Sequence, residues 1–150
     1  MDLSAAILKG CEIRPEQCQH SLWSLVIMPT FHLQSCVMGA AYEGAFGPIK
    51  HVIDPIERHW RIILEADDEA TDMVLRLRNV YPILDTQVPG KQCRRRGYIN
   101  GGEWEEVVEA NISLESQLYW LNDRERWTRE QIAAYVKYVV EGAPMIPEDD

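Results

Sequence analysis

The sequence predicts a mainly α fold: a compact helical bundle of about five or six helices with a small β-hairpin or strand pair near residues 22–33. Three observations lead there. Apolar residues recur at helical spacing in several segments, Asp, Ser or Thr stand where helix caps belong, and only Leu22–Leu33 is rich in β-branched and aromatic types. At 150 residues, with 46% apolar and 26% charged side chains, the chain reads as one globular domain, 1–150, with an acidic tail at 143–150. No apolar run approaches the ~20 residues of a membrane span, so no membrane partner is expected.

The elements follow in order. Asp2 caps a helix over Leu3–Lys9, with Gly10 as its stop. Arg14-Pro15 begins a loop, and Pro29-Thr30 breaks the strand pair at its turn or edge. Ser35 caps a second helix. Its face of Val37, Ala40, Ala41, Gly44 and Ala45 has little bulk, so a second backbone can pack closely against it. Asp54-Pro55-Ile56-Glu57 reads as a helix start: aspartate as cap, proline in the first turn, glutamate at the capping-box position. Ile56, His59, Trp60, Ile63 and Leu64 then repeat at helical spacing. A further helix starts near Ala66–Asp68, turns Ala70, Met73, Val74 and Leu77 inward and ends near Asn79. Thr86–Gly102, with Pro89-Gly90 and Asn100-Gly101-Gly102, reads as a long exposed loop with a short strand at Gly97–Asn100. Glu103–Glu109 has no assigned state. Ser113 caps Leu114–Leu121. Thr128 caps the last helix, Gln131 closes a capping box, and Trp127 and Ile132 are spaced for a hydrophobic staple. Ile132, Tyr135, Val136, Val139 and Val140 form its apolar stripe, and Gly142 ends it.

Charge sets the first functional limits. With 24 acidic and 15 basic residues the formal net charge is -9, which repels phosphate backbones at long range and favours basic partners. Glu65, Asp67, Asp68, Glu69 and Asp72 cluster, and we read them as the partner-binding residues. As metal ligands they lack the spacing of a calcium loop, and acids at a predicted helix N-terminus complement its dipole. A locally basic stretch follows with Arg76, Arg78, Lys91, Arg94, Arg95 and Arg96.

No nucleophile elbow, phosphate loop or zinc-protease motif occurs, which weighs against the commonest enzyme classes. Four irregularly spaced cysteines and no leader-like N-terminus suggest a reduced, cytoplasmic setting. A metal site would need scattered residues such as Cys18, His20, Cys36 and Cys93, and His59 reads as a core histidine. No metal or cofactor is expected. Residues 114–141 have the layout of a helix-turn-helix. In that alternative Arg94, Arg95, Arg96, Arg126 and Arg129 would meet an anion or nucleic acid, although Asp123, Glu125 and Glu130 interrupt the basic side chains.

Two segments carry a resemblance. Leu121–Ala133, reading LNDRERWTREQIA, resembles a C-terminal signature of small uncharacterised bacterial and phage or prophage proteins, roughly His-Leu-Asn-Asp-x-His-x-Trp-Ser/Thr-Arg-Glu-x-Ile-Ala. Ser35–Glu43 is similar to their Cys-Ala-Leu-Gly-Ala-Ala-x-Glu segment. Such relatives often carry a Cys-x-x-Cys before the histidine. Here Gly90-Lys91-Gln92-Cys93 stands in the comparable place and Trp120 replaces the histidine, so the resemblance implies that a metal site is lost. It implies a mobile-element origin and transfers no activity. The expectation is a phage- or prophage-type acidic interaction protein that binds and modulates a host protein with a basic surface, by surface occlusion, in the host cytoplasm. The alternatives are the helix-turn-helix regulator and an enzyme or metal protein with a site that no motif marks.

Overall fold

The computed structural model describes residues 1–63 and 72–144. It corrects the expected fold class: the chain is mixed α/β, with five α-helices and six strands in three two-stranded antiparallel sheets among the described residues. The described elements are α1 (Leu3–Ile13), β1 (Trp23–Val26), β2 (His32–Ser35), α2 (Val37–Phe46), β3 (His51–Asp54), β4 (His59–Ile62), α3 (Met73–Val80), β5 (Gln87–Ile99), β6 (Gly102–Ser113), α4 (Leu114–Asp123) and α5 (Arg129–Tyr135). A 3-10 turn, Pro82–Asp85, follows α3, and α5 continues into a π-helical turn, Val136–Val140.

The helices still make the principal core. Leu3, Ile7, Val37, Ala41, Leu77, Leu84, Leu114, Leu118, Ile132 and Val136 share one buried cluster. The small residues of α2 face α1, as expected. Gly10, however, does not stop α1: the helix runs through it to Ile13, because this position must admit the α2 backbone. A Cβ on Gly10 would lie 1.8 Å from the Ala40 carbonyl oxygen, and one on Gly44 would lie 1.7 Å from that of Ala6. Two glycines, one from each helix, therefore set the closeness of the crossing. The cap of α2 is Cys36, whose Sγ accepts from the Gly39 amide, while Ser35 belongs to β2.

The predicted strand pair at 22–33 is present as β1 and β2, in register from Trp23↔Ser35 to Val26↔His32, with Pro29 in the turn. The helix predicted from Asp54 is not. Asp54 Oδ1 accepts from the Ile56 and Glu57 amides at 2.9 and 3.1 Å, the same bonds that a cap makes. Arg58 then takes a left-handed φ of 56° and turns the chain back into β4. Period two replaces the helical period: Trp60 and Ile62 pack on a second cluster with Trp23, Leu33, Tyr42 and Met73, whereas His59 and Arg61 are exposed. Ile56, expected inward, is 91% exposed. The start of the next predicted helix lies outside the described residues. Its remainder, α3, buries Met73 and Leu77.

The long loop expected at Thr86–Gly102 is also overturned. Residues 87–99 form β5, paired along its length with β6, from Gln87↔Ser113 to Ile99↔Gly102, with a bulge between Cys93 and Arg95. Asn100 and Gly101, both at positive φ, close the hairpin as a two-residue turn. Pro89 is tolerated because a two-stranded sheet has only edges.

The C-terminal caps are as expected. Ser113 Oγ accepts from the Ser116 amide, and Thr128 and Gln131 form a reciprocal capping box. The Trp127 ring packs edge-on against Tyr135, with centroids 6.4 Å apart. The π turn shifts the helical phase, so Val136 is buried but Val139, expected inward, is 69% exposed.

Candidate functional site

The conspicuous side chains of the two familiar segments are structural. Arg129 is 1% exposed. Its guanidinium donates to the carbonyls of Arg14 and Pro15, each at 2.7 Å, and to Ser35 Oγ at 2.8 Å. Those carbonyls lie just past the C-terminal end of α1, where the helix dipole favours a cation. Asn122 Oδ1 accepts from the Val37 amide and from Gln17, and its Nδ2 donates to the Cys18 carbonyl. Glu43 is buried and holds Arg14 through two contacts of 2.7 and 2.8 Å; it also accepts from Trp23 Nε1 and the Ile49 amide. The Glu43 carboxylate is met by an ion pair and hydrogen bonds, and the Arg129 guanidinium by three hydrogen bonds from its two terminal nitrogens, while its Nε has no partner among the described residues.

The sequence-predicted sites fare unequally. Glu65, Asp67, Asp68 and Glu69 lie outside the described residues, and Asp72 is exposed at the start of α3. Of the basic alternative set, Arg94 and Arg95 face Glu106 at 3.5 and 3.1 Å, and Arg96 stands opposite Glu105 in register. The acids of β6 thus neutralise the basic run of β5. Arg126 is exposed on the turn before α5, and Arg129 is buried against Arg14, Pro15 and Ser35.

The cysteines are free and dispersed in role. Cys11, Cys18 and Cys36 are buried, and burial raises all three thiols, Cys11 to about 11 and Cys36 to about 12. His59 is exposed, contrary to the core reading. With Asp54 and Glu57 it offers three ligand atoms within 4.8 Å of one another. The Asp54 turn accounts for their nearness, since Asp54 Oδ1 is already engaged by backbone amides.

Sequence reasoning missed the feature that does look like a binding site. The first half of the β5–β6 hairpin packs on α4, and a cleft of about 710 Å³ opens between them. On the strand side Gly90 and Ala110, opposite each other in register, leave room, and their neighbours Lys91 and Glu109 flank it. The helix side presents Gln117, Trp120, Glu125 and Trp127. Glu125 Oε1 accepts from Trp120 Nε1 at 3.2 Å and faces Lys91 Nζ at 3.5 Å. The Arg124 guanidinium lies over the Trp120 ring, 4.6 Å from its centroid, and pairs with Glu105. At the floor, Gln117 is 9% exposed and its Oε1 has no hydrogen-bond partner. Its side chain hydrogen-bonds to Tyr135, whose hydroxyl burial raises in pKa and this bond lowers.

Gly90 and Trp120, the positions compared above with a cysteine and the histidine of the signature, both line this cleft, whereas Cys93 is not among its lining residues. Beyond the Arg124–Glu105 pair the hairpin tip carries Tyr98, 78% exposed, and Ile99, 62% exposed. Trp104 lies across Gly97 near the tip.

Compared with known proteins, the chain matches no family model, no curated protein and no solved structure. Among the described residues no helix is long and apolar enough to cross a membrane.

Proposed function

We propose that this chain is an acidic interaction protein that docks on a basic surface of a protein partner and modulates it by covering that surface. The observation that carries this reading is the β5–β6 hairpin: its base packs on α4 and the Arg124–Glu105 pair ties it further along, and it holds Tyr98 and Ile99 out in solvent at its tip, at the far end from the cleft. A firmly anchored arm presents apolar and aromatic groups at little ordering cost on binding. The net charge of -9 supplies the attraction to a basic partner. Burial of Arg129 takes one arginine out of the contact set of the nucleic-acid alternative, and Arg94 and Arg95 are paired with Glu106, which favours the protein partner.

The test places a photo-cross-linking residue at Tyr98 and, as a control, at Leu8 on α1, both exposed positions. In cells of the natural host a discrete partner should cross-link from position 98 and not from position 8. Identical patterns from both positions would remove the hairpin from the interface and this reading with it.

A further inference from the structure

We infer that the cleft between the hairpin and α4 is a receptor for a guanidinium group, supplied by an arginine side chain of the partner protein; this rests on the interaction reading above. The lining is acidic on balance, with the carboxylates of Glu109 and Glu125 against the one ammonium of Lys91. Glu109 flanks the cleft with no ion pair among the described residues, and Glu125 accepts rather than donates. Gln117 adds an acceptor that nothing satisfies. Set against these are five donor groups: the Lys91 ammonium and the Trp120 indole N–H, both already directed at Glu125, and the Asn111 amide, the Gln117 amide and the Trp127 indole N–H. A guest matching this lining brings several N–H donors, positive charge and a flat face for indoles; guanidinium has five donors in a planar fork and stacks on aromatic rings.

The molecule already shows both contacts with its own side chains. Arg124 stacks over Trp120, and Lys91 meets Glu125. Trp127, 38% exposed, presents a second indole at the opening. Gly90 lets the Gln117 amide pack close beneath it: a Cβ there would lie 2.5 Å from Gln117 Oε1. The Gln117 amide is covered in the empty cleft, so engaging it takes a rotation about its terminal torsion, which is a soft one. At about 710 Å³ the cleft falls in the range of pockets that enclose small ligands, and it takes the arginine together with neighbouring peptide.

The experiment titrates the full chain with the blocked peptide acetyl-Gly-Arg-Gly-amide and follows tryptophan fluorescence and heat. Saturable binding is expected, and the citrulline peptide, neutral and of the same shape, should bind about tenfold more weakly or less. Glu109→Gln, an exposed change that threatens no core contact, should weaken the arginine peptide by about tenfold. Trp127→Phe should weaken it less, because an aromatic face remains. Equal affinity for citrulline, indifference to Glu109→Gln, or tighter binding of spermidine or a neutral sugar than of the arginine peptide would each overturn the inference. Cross-linking at position 98 does not depend on this titration: arginine binding without a cross-linked partner sinks the interaction reading, and a cross-linked partner without arginine binding sinks only the receptor.

Discussion

Replacing Arg129 with methionine separates a structural arginine from a surface one. The change keeps much of the side-chain volume and removes three hydrogen bonds, to the Arg14 and Pro15 carbonyls and to Ser35 Oγ. Ser35 is fully buried, so its hydroxyl loses a partner that water does not replace, while Pro15 is exposed and its carbonyl recovers part of the loss from solvent. Counting about 1–3 kcal/mol for each buried group left unsatisfied, and crediting methionine with avoiding the desolvation of a cation, the net cost is about 3–4 kcal/mol. For a chain of this size that lowers Tm by roughly 6–15 °C. Urea unfolding followed by tryptophan emission should show a midpoint lower by about 1.5–2 M with an unchanged slope. Arg129→Lys should fall between the two, since one ammonium reaches fewer of the three acceptors. A midpoint shift below about 0.3 M would refute the clamp and return Arg129 to the surface.

Three further outcomes follow from the core. Gly44→Ala should destabilise by about 2 kcal/mol despite gaining about 1 kcal/mol of helix propensity, because the added Cβ meets the Ala6 carbonyl oxygen at 1.7 Å and α1 must move away; a neutral or stabilising result in thermal melts would disprove the close crossing. Native protein should expose one fast thiol, Cys93, to an aromatic disulfide reagent and four thiols after denaturation, since Cys11, Cys18 and Cys36 are buried. Because burial lifts these three thiols above their ordinary value of 9.0, the folded state holds protons that the unfolded chain releases, so their contribution is complete below pH 9 and is lost as pH rises toward 11–12. A urea midpoint that stays flat or rises from pH 9 to 11 would contradict that linkage.

The legible parts of the fold were those that local chemistry settles. Thr128 and Gln131 satisfy the first amides of α5 by themselves, and Ser113 does the same for α4. The small face of α2 is local too, and it announces a close neighbour without naming it. Glu43, by contrast, sits in that alanine-rich segment with no sign that Arg14 and Trp23 would converge on it. The Gln117–Trp120–Trp127 side of the cleft was equally silent, since its other wall comes from β5 and β6.

Sequence alone therefore determined the caps of α4 and α5, the small face of α2, the strand pair at 22–33 and the sign of the net charge. Tertiary structure decided the rest. Asp54 makes the same two amide bonds in a helix cap and in a hairpin turn, and only the reversal at Arg58, held by Trp60 and Ile62 packing on the second core, chooses between them. Residues 87–99 show little periodicity of their own, and they become a strand because β6 lies opposite, with its acids against their arginines and Trp104 across Gly97. Strand pairing joins residues distant along the chain, so its free energy belongs to the pair, whereas a cap or an amphipathic turn is complete within a few neighbours.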